Sequence, residues 1–175
     1  DTFNCYLNPG IPINKSTADF TGISFDQVKA AEGFPEVKDK FLSWIGADDY
    51  YMLSWSLTDR DAFSDECLRY KLDRSWLKNY NDVQKIYKDK FKHKHRTSLF
   101  NAMKELNIEP TFGKQHDGLA DAMHTFEVLK HLLNDEDAAI AFEKNEFMEE
   151  YVVEVVLKEE FKNNPFAALA EKYPL

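Results

Sequence analysis

Seven residues near the middle of the chain restrict its fold more than any other stretch. Asp49 to Trp55 carries Tyr50, Tyr51, Met52, Leu53 and Trp55 in one short run. A run so short and so apolar reads as a buried strand. Segments with helical spacing flank it on both sides. Upstream, Val37, Phe41, Trp44 and Ile45 recur at that spacing, with Pro35 suited to a first turn and Gly46 to a stop. Downstream, Thr58 suits a helix cap ahead of Phe63, Cys67 and Tyr70.

The same reasoning assigns the rest of the chain. Phe3, Cys5 and Leu7 alternate with polar partners, which predicts a strand over 2–8, broken by Pro9, Gly10 and Pro12. Ser16-Thr17 offers a helix start. Ser24 and Gln27 have capping-box spacing ahead of Phe25, Val28 and Ala31. Val83, Ile86 and Tyr87 suggest another helix, and Leu99, Met103 and Leu106 a further one. A loop, NIEPTFGKQ, precedes one long stripe: Leu119, Ala122, Met123, Phe126, Leu129, Leu132 and Leu133. From residue 135 acidic helices are expected, although YVVEVVL at 151–157 would also suit a strand. The composition shift near Asn134 predicts a body over 1–134 and an acidic extension over 135–175.

A length of 175 residues with 43% hydrophobic and 30% charged residues fits one globular domain. No run approaches the roughly 18 apolar residues of a membrane span, so no membrane partner is expected. Two cysteines are too few for a disulfide scaffold. A reducing, cytoplasmic setting is the expectation.

The net charge is -9, but it is unevenly placed. Residues 135–160 alone carry -8, and residues 1–134 only -2. An acidic balance therefore does not exclude a nucleic-acid partner for the body. Within that body KIYKDKFKHKHR, residues 85–96, holds six Lys or Arg and one Asp. Lys88, Lys92, Lys94 and Arg96, interleaved with aromatics, are candidate contacts to nucleic-acid phosphates. A solvated helix face would carry the same run.

Two acids and a histidine stand out. In His116-Asp117-Gly118-Leu119-Ala120-Asp121, a loop ends in His116 and Asp121 falls one turn into a helix. The positive end of the helix dipole favours a carboxylate there. An Asp can hold a divalent cation while a loop His accepts a proton from water, as metal-assisted phosphodiester hydrolysis requires. Asp59 follows the apolar strand, at the strand end where metal-binding carboxylates gather in α/β sheets, and offers a second oxygen ligand. Each position also suits a plain structural role, Asp59 as a cap and His116 as an exposed loop residue. His124 and His131 are expected to be structural, Cys67 a core residue, and Asp82 not a ligand.

In order and context these motifs resemble the DnaQ-like DEDDh class of 3′–5′ exonucleases, closest to its ERI and KapD-type branch. MLSWSLTDRDAF is similar to the second motif of that class and HDGLADAMHTFEVL to the third, and TGISFDQVKAAEGFPEV is similar to a further family segment that precedes both. The resemblance runs from about residue 2 to residue 133. It implies a ribonuclease H-like α/β fold with a mixed sheet flanked by helices. It implies Asp59 and Asp121 as metal ligands and His116 as general base, with two Mg²⁺ or Mn²⁺ ions at the scissile phosphate. The implied substrate is the 3′ end of single-stranded DNA or RNA, cut to nucleoside 5′-monophosphates.

One departure is plain. The first motif of the class, Asp-x-Glu on a central strand, is absent. Glu154 lies in VVEVV, but Val152 stands where the Asp would be. A segment of roughly 30–40 residues, about two or three strands with turns, is expected upstream. Without those acids divalent metal should bind weakly. The alternatives are a catalytically silent binding or interaction module of the same fold, and one part of a split exonuclease. Self-association or a protein partner is expected to involve residues 135–175.

Overall fold

The computed structural model describes residues 1–113, 117–134 and 140–147. Three helices come first, α1 (Lys15–Thr21), α2 (Phe25–Val28) and α3 (Phe34–Ile45). Asn14, not Ser16, caps α1, its Oδ1 accepting from the Thr17 N–H. The expected capping box starts α2, with Gln27 Oε1 accepting from the Ser24 N–H at 2.7 Å. Pro35 lies in the first turn of α3, and Gly46 ends it at φ +86°, a conformation that favours glycine.

The apolar run supplies β1 (Met52–Ser54). A crossover through α4 (Thr58–Arg69) and a 3₁₀ turn at Ser75–Leu77 leads to β2 (Tyr80–Asp82). The two strands are parallel, pairing Met52 with Tyr80 and Ser54 with Asp82. Then come α5 (Val83–Lys90), α6 (Leu99–Glu105) and α7 (Gly118–Leu133). Strand alternation divides the packing into two cores. Met52 faces one cluster built on Phe34, Cys67, Trp76, Leu77 and Tyr80. Leu53 and Trp55 face the other, built on Val83, Tyr87, Met103, Val128 and Leu132.

Three expectations are corrected. Residues 2–8 form no strand. No described strand runs beside them, and their apolar side chains pack on helices instead. The ring of Phe3 lies 5.5 Å from that of Phe41 and 5.8 Å from that of Trp44. Thr58 is not a cap but the first residue of α4, and its N–H donates to the Ser56 hydroxyl at 3.3 Å. The single stripe on α7 is two faces. Val128, Leu129 and Leu132 are buried, whereas Phe126 and Leu133 are exposed.

Residues 140–147 lie in a non-helical strap along β2; residues 135–139 and 148–175 fall outside the described residues. Three asparagines hold the strap. Asn145 Oδ1 accepts from the Tyr80 N–H at 3.0 Å, and its amide donates to the Tyr80 carbonyl at 3.1 Å. Asn81 exchanges bonds with both backbone groups of Glu143, and Asn79 Oδ1 accepts from the Asn145 N–H. One backbone bond, from the Asn79 N–H to the Asn145 carbonyl at 2.6 Å, joins the strap as well, so side-chain amides supplement a short backbone contact at this edge. Asn145→Ala leaves Tyr80 without these partners, and we expect it to cost about 1–3 kcal/mol. A lower urea midpoint with faster amide exchange at Tyr80 would register that loss. No helix among the described residues is long and apolar enough to cross a membrane.

Candidate active site

Asp59 is placed by the end of β1. The chain leaves Ser54, turns through Trp55-Ser56-Leu57, and enters α4 with Asp59 in its first turn. Asp121 is placed by α7, which Asp117 caps by accepting from the Ala120 N–H at 2.9 Å. The Asp121 N–H donates to the Asp117 carbonyl at 2.9 Å, fixing the first turn. The two carboxylates come from distant parts of the sequence and stand close enough to interact electrostatically. Burial pushes the Asp59 carboxyl up from its ordinary 3.8, bonding to its own backbone N–H opposes this, and the charge of Asp121 raises it further. The residue as a whole is nonetheless exposed. His116 lies outside the described residues.

The β2 neighbour of this turn is Tyr80. Burial pushes its phenol up to about 12, with the Ser54 hydroxyl in hydrogen-bonding reach. Tyr80 therefore stays protonated beneath the start of α4. Asp82, at the same sheet end, is buried and structural. Its Oδ1 accepts from the Lys85 N–H as the cap of α5, and its Oδ2 pairs with Arg96 at 2.9 Å. Since Ser54 pairs with Asp82, Arg96 ties the basic loop to the sheet end from which Asp59 projects. Arg96 is thus engaged within the fold. Lys92 and Lys94 are exposed, Lys88 is half-buried, and none of the three makes an ion pair among the described residues.

Two carboxylates are hard oxygen donors and suit Mg²⁺ or Mn²⁺. No group of three or more His, Cys, Asp or Glu among the described residues forms a ligand cluster. Asp59 and Asp121 therefore fit part of a divalent ligand set. A groove of about 780 Å³, with Arg60, Ser64, Asn81 and Glu143 in its wall, includes neither Asp59 nor Asp121 in its lining.

The shift of Asp59 has a measurable sign. Its folded pKa exceeds the unfolded one, so the folded chain binds that proton more readily. The stability this contributes is present below pH 3.8 and lost as pH rises through the folded value. Asp59→Asn should therefore raise stability at neutral pH and leave it unchanged at about pH 3, below the ordinary carboxylate range. Urea midpoints at both pH values check this.

His124, expected to be structural, is buried on α7 one turn beyond Asp121 and reaches back to the preceding loop. Its Nε2 accepts from the Phe112 N–H at 3.4 Å, and the two rings lie 5.7 Å apart. Sequence spacing carries no signal for this pairing, because it joins a helix to an irregular loop.

Comparison with known proteins bears on the fold and the family. The rat 3′–5′ exoribonuclease 1 is 27% identical over 148 residues, covering 77% of this chain and 42% of that protein. A solved full-length 3′-exonuclease superimposes with a TM-score of 0.72 at 23% identity, covering 86% of this chain and 55% of the other. A 3′-exonuclease solved in connection with 3′-end recognition of a histone mRNA stem-loop gives a TM-score of 0.73 at 22% identity, covering 87% and 74%. These likenesses establish the ribonuclease H-like exonuclease fold. The chain spans less than half the length of the curated mammalian relatives it matches. The exonuclease family model of RNase T type matches residues 1–129, and the chain belongs to that family.

Proposed function

We propose that this chain carries the second and third acidic motifs of a metal-dependent 3′–5′ exonuclease. It acts on the 3′ end of single-stranded nucleic acid and releases nucleoside 5′-monophosphates. The observation that carries this reading is the electrostatic interaction between Asp59, at the end of β1, and Asp121, in the first turn of α7. RNA is the first substrate to test, because the mammalian relatives are named exoribonucleases.

The chain's own residues divide the work. Asp59 and Asp121 hold Mg²⁺ or Mn²⁺, which when bound supplies Lewis-acid charge at the scissile phosphate. His116 takes the proton from the attacking water. Tyr80, protonated and packed under the turn, keeps the start of α4 in place. Lys88, Lys92 and Lys94 neutralise backbone phosphates. Replacing these three lysines by glutamine should weaken binding to single strands irrespective of sequence. The slope of log affinity against log salt should fall by about 0.7 for each phosphate no longer neutralised, which fluorescence anisotropy at graded salt measures.

A second reading has its own support. The basic run at 85–96, with Lys92 and Lys94 exposed, could bind a single strand on the same fold without hydrolysis. One experiment separates the two. A 5′-labelled single-stranded RNA is incubated with the chain and Mn²⁺, with and without EDTA. A ladder shortened from the 3′ end and lost in EDTA supports the exonuclease. Binding without cleavage supports the module.

A further inference from the structure

The end of α5 carries an aromatic ring that the core does not take up. Phe91 follows Tyr87 by four residues, so helical spacing puts both on one face. Yet Tyr87 is 1% exposed and Phe91 40%. The helix stops at Phe91, and the chain turns sharply there. The Lys92 N–H donates to the Asp89 carbonyl at 3.3 Å and the His93 N–H to the Lys88 carbonyl at 2.9 Å, with Lys92 left-handed at φ +54°. That pair of bonds is a closed helix end, which also brings the residue after the turn back onto the helix. Here the His93 ring comes to 5.5 Å from Tyr87 and 6.2 Å from Phe91, and Phe91 itself lies 4.8 Å from Tyr87. The Thr97 hydroxyl, 3.2 Å from Nδ1, and Glu105, 3.5 Å from Nε2, hold His93 in turn. Phe91 is thus backed by two rings and still exposed.

The chain then returns to the sheet end, where Arg96 meets Asp82 and Gln84 and the Gln84 amide donates to the Thr97 carbonyl at 2.8 Å. Within this loop Lys85 is paired with Asp89 and Arg96 with Asp82, while Lys90 donates to the Leu132 carbonyl. Lys88, Lys92 and Lys94, which flank the ring in sequence, are the cations left over. The nearby acid Glu105 already accepts from the Tyr87 hydroxyl.

We propose that Phe91 is a stacking platform for an unpaired base of a single-stranded nucleic acid. The basic run then meets both parts of a nucleotide, the lysines its phosphate and Phe91 its base. An exposed ring among positive charges is complementary to a strand whose bases have aromatic faces and whose backbone is anionic. A purely apolar partner would leave the three ammonium groups without counter-charge. A duplex keeps its bases stacked inside, so the platform favours single strands. Because the ring is held in place beforehand, little ordering accompanies binding. The proposal rests on the nucleic-acid reading of the basic run and is independent of hydrolysis.

Fluorescence anisotropy of the full chain in EDTA tests it without metal or cleavage. The probes are a labelled oligothymidylate and an abasic strand of the same length and charge. Phe91→Leu removes the aromatic face but keeps an apolar side chain, whereas Phe91→Trp keeps a face. Affinity for oligothymidylate should fall about fivefold or more in the leucine variant, as for one stacked base, and hold or rise in the tryptophan variant. The abasic strand should bind all three proteins equally, with the same salt slope, because the lysines remain. Lys92→Gly is the converse: glycine suits the left-handed position, so the helix end is kept while the charge goes. It should weaken both probes alike and lower the salt slope by about 0.7. Equal oligothymidylate affinity in wild type and Phe91→Leu overturns the platform. So does an equal loss for both probes, the mark of a ring that only shapes the loop. If the wild type binds neither probe, the nucleic-acid reading of the run fails and the platform with it.

Discussion

Asp121→Asn is expected to lower hydrolysis of a single-stranded RNA by on the order of a hundred- to a thousandfold, the scale for removing one electrostatic stabiliser of transition-state charge. The substitution keeps the shape of the side chain and leaves the Asp117 cap in place. What it removes is the negative charge. A divalent cation held as proposed would then have one anionic ligand fewer beside Asp59. A second consequence follows from the proximity of the two carboxylates. Since Asp121 is among the causes that hold the Asp59 carboxyl up, Asp59 should titrate lower in the variant. The two readouts move independently: activity falls, and the Asp59 titration shifts down. Timed gel analysis of a 5′-labelled RNA measures the first, and a side-chain carbonyl NMR titration measures the second. Hydrolysis that survives in Asp121→Asn would remove that residue from the mechanism. An unmoved Asp59 titration would separate the two acids.

The second large effect concerns two adjacent leucines. Leu132 is 1% exposed and belongs to the core around Tyr87, Met103 and Val128, whereas Leu133 is 49% exposed. Leu132→Ala should cost about 2–5 kcal/mol, the transfer term plus the cavity left behind. Leu133→Ala should stay within about 0.5 kcal/mol of wild type, as an exposed substitution that touches no buried partner. Urea unfolding of the two variants side by side makes the comparison internal, since length, helix propensity and chemistry are identical. Equal losses at both positions would mean that α7 packs on a different face.

That pair also marks how far the sequence was legible. Every apolar position in the stripe 119–133 has helical spacing, and the helix itself was plain. Its buried face was not, because the stripe is wide enough to serve two surfaces and spacing does not rank them. The capping box at Ser24 and Gln27 and the stop at Gly46 were readable because each is a local bond or torsion. The strand expected at 2–8 failed for the opposite reason. A strand requires a neighbour to pair with, and alternation along one segment says nothing of whether a neighbour exists. At the site, Asp59 and Asp121 were legible as a motif in order and context, and their electrostatic interaction needed the fold. Arg96 looked like one more base in a basic run. Its pairing with Asp82 arises from the way the loop folds back on the end of β2.

The asparagine-held strap has a consequence for assembly. A bare sheet edge is a template that recruits further chains. Here the flank of β2 is closed like a zip fastener, the amides of Asn79 and Asn81 reaching out to the strap and that of Asn145 reaching back from the strap to Tyr80. No described strand lies along the opposite flank of β1. Among the described residues the two flanks of the sheet thus differ: the strap covers that of β2, and the strand at the other, β1, leads into the turn that carries Asp59.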